Sequence, residues 1–313
     1  MLQLDGITRS FGDRRVLDDV SFTVESGRLT GFVGANGAGK TTTMRIILGV
    51  LAPEAGTVTV DGRPIDAVQR RSFGYMPEER GLYPKMKVVE QVAYLARLHG
   101  FDRRTATDRS RDLLERLGLG ERADDPLESL SLGNQQRAQV AAALVHDPQV
   151  LILDEPFSGL DPMAVDVVLG VLAEKAATGV PVLFSSHQLD VVERLCDDLV
   201  IIAGGQIRAA GSRGALHEEF GSTRYEISTA QDVGWLRAER GVTVVEFDGG
   251  SALFEAEQDA AQAVLRSALE RGAVTSFGPQ RPTLGEIFRE IVSEPDEHAT
   301  TETAQTTEKE MAR

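Results

Sequence analysis

Short apolar runs alternate with segments of helical period through most of the first 220 residues. LTGFVG (29–34) precedes a helical stretch from Gly39 to about Leu51, VLILDE (150–155) precedes one over 162–177, and PVLFSS (181–186) precedes one over 188–196. An unbroken apolar run of this length suits a strand covered on both faces, and a helix after each strand returns the chain for a parallel neighbour. The stretch from about 85 to 145 breaks that rhythm. VVEQVAYLARLHG, TDRSRDLLERLGL and the segment after Ser131 follow one another at helical period without an intervening strand, which predicts a helical insertion over about 82–145. Within it, MKVVEQVAYLARL has apolar spacing that fits both an internal packing face and a groove for a helix of another subunit.

The texture changes after Ser222. A strand YEIST, a helix QDVGWLRAER, strands VTVVEFD and ALFEAE around Gly249-Gly250, a helix AAQAVLRSALERG, a strand AVTSFG and a helix TLGEIFREIV follow in turn. The order β-α-β-β-α-β predicts a small α+β domain of ferredoxin-like type over 222–293, with one helix added. Two glycines between the middle strands suit a tight hairpin. Residues 294–313 are mostly Thr, Glu and Ala, and a disordered tail is expected there.

Length and charge narrow the function classes. A chain of 313 residues exceeds what one core usually spans, so two domains are expected, 1–220 and 222–293. The formal charge of −15 opposes direct binding to nucleic acid or to an anionic lipid surface, so any membrane contact should run through a protein partner. The lone Cys196 has no internal disulfide partner and reads as core filler in a reducing compartment. The first fifteen residues lack the basic start and apolar run of a secretion signal, and no stretch approaches membrane-spanning length, which predicts a cytoplasmic protein.

Against that background one motif carries chemistry. Gly34-Ala35-Asn36-Gly37-Ala38-Gly39-Lys40-Thr41 matches G-x-x-x-x-G-K-[ST], between a predicted strand and a predicted helix. Backbone N–H groups from 37 to Thr42 should form a concave anion site at the helix N-terminus, with Lys40 adding charge and Thr41 a hydroxyl for Mg²⁺. Asp154 and Glu155 close a buried strand at its C-terminal end, where open α/β sheets bind ligands. There Asp154 suits a magnesium ligand and Glu155 a general base. His187 ends the next strand and reads either as a contact to the γ-phosphate or the water, or as a structural histidine.

These residues resemble the nucleotide-binding domain of ABC transporters. Leu130-Ser131-Leu132-Gly133-Asn134-Gln135-Gln136-Arg137 is similar to the family's LSGGQ signature and stands fifteen residues before VLILDEP. Ser158-Gly159-Leu160-Asp161-Pro162 corresponds to its D-loop and Ser185-Ser186-His187 to its switch histidine. The resemblance implies a P-loop NTPase core of ABC type with a helical insertion. It also implies Phe11 beside the adenine with Val16, and a site for ATP and Mg²⁺. Ser131, capping a helix, would with Leu132, Gly133, Asn134 and Gln135 meet the γ-phosphate held by a second copy, so that a homodimer encloses two nucleotides.

The sequence departs from the family in two places. Glu78 of FGYMPEERGLYP occupies the position of the family's Q-loop glutamine, where a carboxylate still ligates Mg²⁺ but cannot donate as an amide does. Asn134 replaces the last residue of the signature. Both resemble the drug-, sodium- and antibiotic-export branch, whose members often carry a C-terminal accessory domain. The implied protein is the ATPase subunit of an exporter, peripheral on the inner face of the cell membrane and working with a separate integral membrane permease. Two rivals stay open: a soluble ABC protein acting on ribosomes or DNA, disfavoured by the single phosphate loop and the acidic balance, and a non-hydrolysing regulator, disfavoured by Glu155 and His187. In the C-terminal domain Glu255, Glu257 and Asp259 read as a solvated face and Trp235 as core; regulation, dimer support and structural filler all fit the domain.

Overall fold

Alternation of buried and exposed positions builds the first strands, β1 (Leu2–Phe11) and β2 (Arg14–Val24), which pair antiparallel. Leu2, Leu4 and Ile7 of β1 and Leu17, Val20, Phe22 and Val24 of β2 turn inward. The ladder slips between Leu4 and Ile7, where Gly6 takes a φ of 62°, so a bulge interrupts strict period two. The computed structural model describes residues 1–79, 81–220, 224–280, 283 and 285–288, which divide into one unit over Met1–Arg213 and another from Gly214 onward.

In the first unit the chain continues through β3 (Leu29–Val33), α1 (Lys40–Ile47), β4 (Ala55–Val60), β5 (Arg63–Pro64) and β6 (Phe73–Met76). Three helices follow, α2 (Val88–Leu98), α3 (Arg103–Arg116) and α4 (Leu132–Leu144), and then β7 (Val150–Leu153), α5 (Pro162–Ala177), β8 (Val182–Ser186), α6 (Leu189–Leu195), β9 (Asp198–Ala203) and β10 (Gln206–Ser212). The helix α7 (Arg213–Phe220) begins at the boundary of the units. Two sheets result, a four-stranded one in the order β2-β1-β4-β5 and a six-stranded one in the order β10-β9-β3-β8-β7-β6. The second is parallel apart from β10 at its edge. Its inner strands β3, β7 and β8 are buried at every position, as their apolar runs predict.

One apolar core joins both sheets and α1. Phe22 of the antiparallel sheet meets Phe32 of the parallel one with ring centroids 5.2 Å apart, and Met44, Ile46 and Ile47 pack into the same cluster. The predicted helix from Gly39 to about Leu51 stops earlier, at Ile47. Gly49, at φ 70°, donates its N–H to the Ile46 carbonyl and closes the last turn. Cys196 is buried, its thiol donates to the Val192 carbonyl at 2.6 Å, and burial pushes its pKa up to about 12.

The apolar face of α2 turns mostly inward through Val88, Val89, Val92, Ala93 and Ala96, whereas Tyr94 and Leu98 on that helix and Tyr83 before it remain exposed. Asp102 caps α3 and Asp161, followed by Pro162, caps α5. Among the described residues no helix is long and apolar enough to cross a membrane.

The second unit contains β11 (Arg224–Thr229), β12 (Val242–Asp248), β13 (Ser251–Ala256), α8 (Gln258–Arg271) and β14 (Val274–Gln280). The sheet order β12-β13-β11-β14, antiparallel throughout, is that of the ferredoxin-like split unit. Its predicted first helix, QDVGWLRAER, is a correction: only a 3₁₀ turn, Gly234–Ala238, forms there. The Asp232 carboxylate accepts the Gly234 N–H at 2.7 Å, a local turn that competes with helix, and Val233 and Leu236 bury into the sheet instead. Glu255, read as part of a solvated face, pairs with Arg224 at 3.0 Å. Trp235 packs against the apolar cluster with the Arg271 guanidinium 4.3 Å over its ring. Most of the expected last helix and all of the expected tail lie outside the described residues, though 285–288 are helical.

Candidate functional site

The loop from Gly34 to Gly39 leaves the end of β3 and enters α1, and at Gly34 and Gly39 a side chain has no room. A Cβ on Gly34 would stand 2.4 Å from the Ile202 carbonyl oxygen of β9. Gly39, at φ 115°, forms the N-cap of α1 and offers no side chain to its first N–H groups. Those groups and the helix dipole therefore face outward as an anion site.

Lys40 is buried at the start of α1 and donates its Nζ to the Gly34 carbonyl at 2.5 Å and more weakly to that of Ala35 at 3.4 Å. Burial lowers its pKa, and the negative charges of Glu155, Asp154 and Glu78 oppose that shift. Three carboxylates thus converge electrostatically on one ammonium. The short strand β7 ends at Leu153, and the Asp154 N–H continues the ladder to the Met76 carbonyl of β6 at 2.8 Å. Asp154 is 1% exposed and accepts from two hydroxyls, Thr41 Oγ1 at 3.1 Å and Ser185 Oγ at 2.5 Å. This joins the phosphate loop to the end of β8 through a single carboxylate.

Glu155 takes a left-handed backbone conformation at φ 52°, which for a residue with a Cβ costs on the order of 1–2 kcal/mol. Side chains hold it from both sides: its N–H donates to Ser185 Oγ at 2.9 Å, and its carbonyl accepts from Gln136 Nε2 at 2.8 Å. Its carboxylate Oε1 lies 2.9 Å from His187 Nδ1, whose side chain is 55% exposed. His187 therefore stands beside the Glu155 carboxylate.

A cavity of about 520 Å³ opens over these groups. Phe11, Arg14 and Val16 line it together with the loop residues Ala35, Asn36, Gly37 and Gly39, with Lys40, Thr41 and Thr42, and with the carboxylates of Glu78, Asp154 and Glu155. Gly34 and Ala38 are buried beneath the loop. Arg9 places its guanidinium 5.2 Å from the Phe11 ring centroid. Arg14, Ser185 and Gln136 were not among the residues expected at the site. Arg14 lies three residues beyond Phe11, but nothing in its neighbours signals a cavity wall. A larger cavity of about 590 Å³ between α3 and α5 lacks a phosphate loop, and its charges Arg116–Glu174 and Lys175–Asp147 are already paired.

The signature residues form a separate surface. Ser131 Oγ accepts the Asn134 N–H at 3.3 Å and caps α4, Gln135 Nε2 donates to the Leu130 carbonyl at 2.9 Å, and Leu132 is exposed. A Cβ on Gly133 would come within 3.3 Å of the Gly159 carbonyl and 3.5 Å of Leu160 Cδ2, so the signature and the D-loop abut. None of residues 131–135 lines the cavity over the phosphate loop of the same chain.

As to magnesium, the donor set is a hydroxyl and a carboxylate already in contact, Thr41 and Asp154, with Glu78 across the cavity. Among the described residues no group of three or more His, Cys, Asp or Glu could hold a metal by itself. An ion that keeps waters and takes phosphate oxygens as ligands fits such a site; one needing an all-protein cage does not.

A glycine-rich loop entering a helix, with an acidic strand end beside it on a parallel sheet, defines a phosphate-loop nucleotide-binding protein. Comparison with known proteins narrows this. Residues 17–158 match the family described as ABC transporter, and residues 211–292 match that described as ATP-binding protein DrrA1-3-like, C-terminal domain. The uncharacterized ABC transporter ATP-binding protein YhaQ of Bacillus subtilis (strain 168) is 39% identical over 293 residues, 93% of this chain and 98% of that one. Nod factor export ATP-binding protein I of Rhizobium sp. (strain N33) is 38% identical over 70% of this chain and 73% of its own. A solved ATP-binding subunit of an ABC transporter superposes with a TM-score of 0.65 at 32% identity, over 70% of this chain and 93% of that one. The chain belongs to the ATP-binding proteins of ABC transporters, and its reaction is ATP hydrolysis.

Proposed function

We propose that this chain energises a separate membrane permease that exports its substrate, and that the groups around Glu155 carry out the hydrolysis. The observation that carries the catalytic reading is the placement of the Glu155 carboxylate, adjoining the phosphate-loop cavity and 2.9 Å from His187. In this reading the loop amides and Lys40 bind the β and γ phosphates, and the Phe11 face takes the adenine with Val16 beside it. Thr41 and Asp154, with Glu78 near, would hold Mg²⁺, which when bound would supply positive charge against the phosphate oxygens. Glu155 accepts a proton from the attacking water, while His187 orients that water or a γ-phosphate oxygen.

The surface of Ser131 to Gln135 serves a second copy. Its capped helix N-terminus suits the γ-phosphate held across a homodimer, with Ser158 to Asp161 packed beside it. Export is supported by the Nod factor export relative and by the matched C-terminal domain. Tyr83, Tyr94 and Leu98, exposed on the helical insertion, suit contact with the permease and a peripheral place at the membrane.

The test is Glu155→Gln. ATP turnover should fall roughly 10²- to 10⁴-fold with nucleotide affinity retained. The same variant, isolated with ATP from gently solubilised membranes, should bring an integral membrane protein with it. Turnover at the native rate would overturn the catalytic reading, and recovery without any membrane protein would overturn the transporter reading.

A further inference from the structure

Two glutamines of α4, Gln136 and Gln139, stand one turn apart on its buried face, each only 4% exposed. A buried amide is costly unless its donors are used, so what these two reach is informative. Gln139 Nε2 makes long contacts with the carbonyls of Pro77 and Glu79, at 3.5 and 3.4 Å, on either side of Glu78. Gln136 Nε2 makes a short one, 2.8 Å to the carbonyl of Glu155, which also receives the Ser158 N–H at 3.2 Å. The helix that presents Ser131 at its N-terminus thus grips, from behind, both loops that carry the carboxylates of the phosphate site.

We infer that Gln136 is a positioning residue for hydrolysis. Its amide at the Glu155 carbonyl, with the Ser185 hydroxyl at the N–H of the same residue, holds Glu155 in the left-handed conformation that directs its carboxylate to His187. A backbone conformation disfavoured by an L side chain persists only where the surroundings fix it, and Gln136 supplies one of the fixings. The consequence is a mechanical link within one chain: a shift of the signature helix is also a shift of the Glu155 carbonyl. The inference rests on the reading of Glu155 as general base.

The experiment compares the full chain with Gln136→Met, which keeps the side-chain length and removes the donor, and with Gln136→Asn, which keeps an amide too short to reach. Turnover at saturating ATP should fall roughly 10- to 100-fold in both, with KM and equilibrium ATP affinity changed by no more than about twofold. Without nucleotide, amide hydrogen exchange of a peptide spanning 154–158 should accelerate, while that of α4 stays as in the native chain. Added to Glu155→Gln, Gln136→Met should cost nothing further, because both act through one group. Native turnover in a folded Gln136 variant overturns the inference, as does a full further loss in the Glu155→Gln background or a rise in KM matching the loss. Should the Met variant fail to fold, the Asn variant decides. If Glu155→Gln hydrolyses ATP normally, the general base itself is wrong and the inference falls with it; an inactive Glu155→Gln beside a fully active Gln136→Met removes the inference alone.

Discussion

Glu78 brings a third carboxylate to a cavity whose main occupant, the triphosphate, is itself an anion. Lys40 feels all three, and a neutral amide at position 78 would relieve part of the repulsion. Glu78→Gln should fold, retain turnover and bind ATP at least as tightly, measured by titration with a fluorescent nucleotide; loss of folding or of binding would contradict this. His187→Ala and Ser131→Arg should each reduce turnover about 10²- to 10³-fold while nucleotide still binds, as expected when a contact forms in the transition state. Lys40, Asp154, Glu155 and His187 were legible because a motif fixes their spacing from strand ends. Ser185 and Gln136 were not: Gln136 acts through the Glu155 carbonyl, 19 residues away, and Ser185 through the Glu155 N–H and the Asp154 carboxylate, 30 and 31 residues away, around a left-handed turn that no local pattern announces.

At the level of elements, β3, β7 and β8 announced themselves as apolar runs because both of their faces are covered. β1 escaped notice because its alternation breaks at Gly6, and QDVGWLRAER misled because its helical period conceals an Asp232 turn. Helix ends are accountable in energy. Asp161→Ala, which leaves the Ala164 N–H of α5 without its cap, should cost about 1 kcal/mol, seen as a shift of the denaturant midpoint at constant slope.

His146, just past α4, gives a pH signature. Its ring stacks on His99 with centroids 3.8 Å apart, its Nε2 meets the Phe73 carbonyl at 3.1 Å, and burial first, then His99, holds its pKa down to about 4 from 6.5. The unfolded chain therefore binds the extra proton more readily. The associated stability is complete above pH 6.5, declines as pH falls and is gone below about 4. Because the ring is partly solvated we expect about 1–3 kcal/mol from it. Melting curves of the native chain and of His146→Gln, compared across that window, should diverge in slope, the variant being less sensitive to acid.

For the molecule as a whole, the proposed homodimer, in which the signature surface of one copy meets the nucleotide of the other, makes turnover depend on concentration. Hydrolysis should fall more steeply than in proportion to protein on dilution below the dimer's dissociation constant; strict proportionality throughout would mean that one copy suffices. The change of texture near Ser222 predicts a second domain, and the structure divides the chain after Arg213. How the second unit serves the first was not legible, because a fold of that kind carries no chemistry of its own.

Cys196 has a practical consequence. A thiol that is both enclosed and hard to deprotonate is nearly silent toward alkylating reagents at neutral pH, and the sequence contains no other. A cysteine engineered at an exposed position, such as Met163 at 81% exposure, would take a maleimide dye or spin label almost alone, so distances across the proposed homodimer become measurable without first stripping the native sulfhydryl.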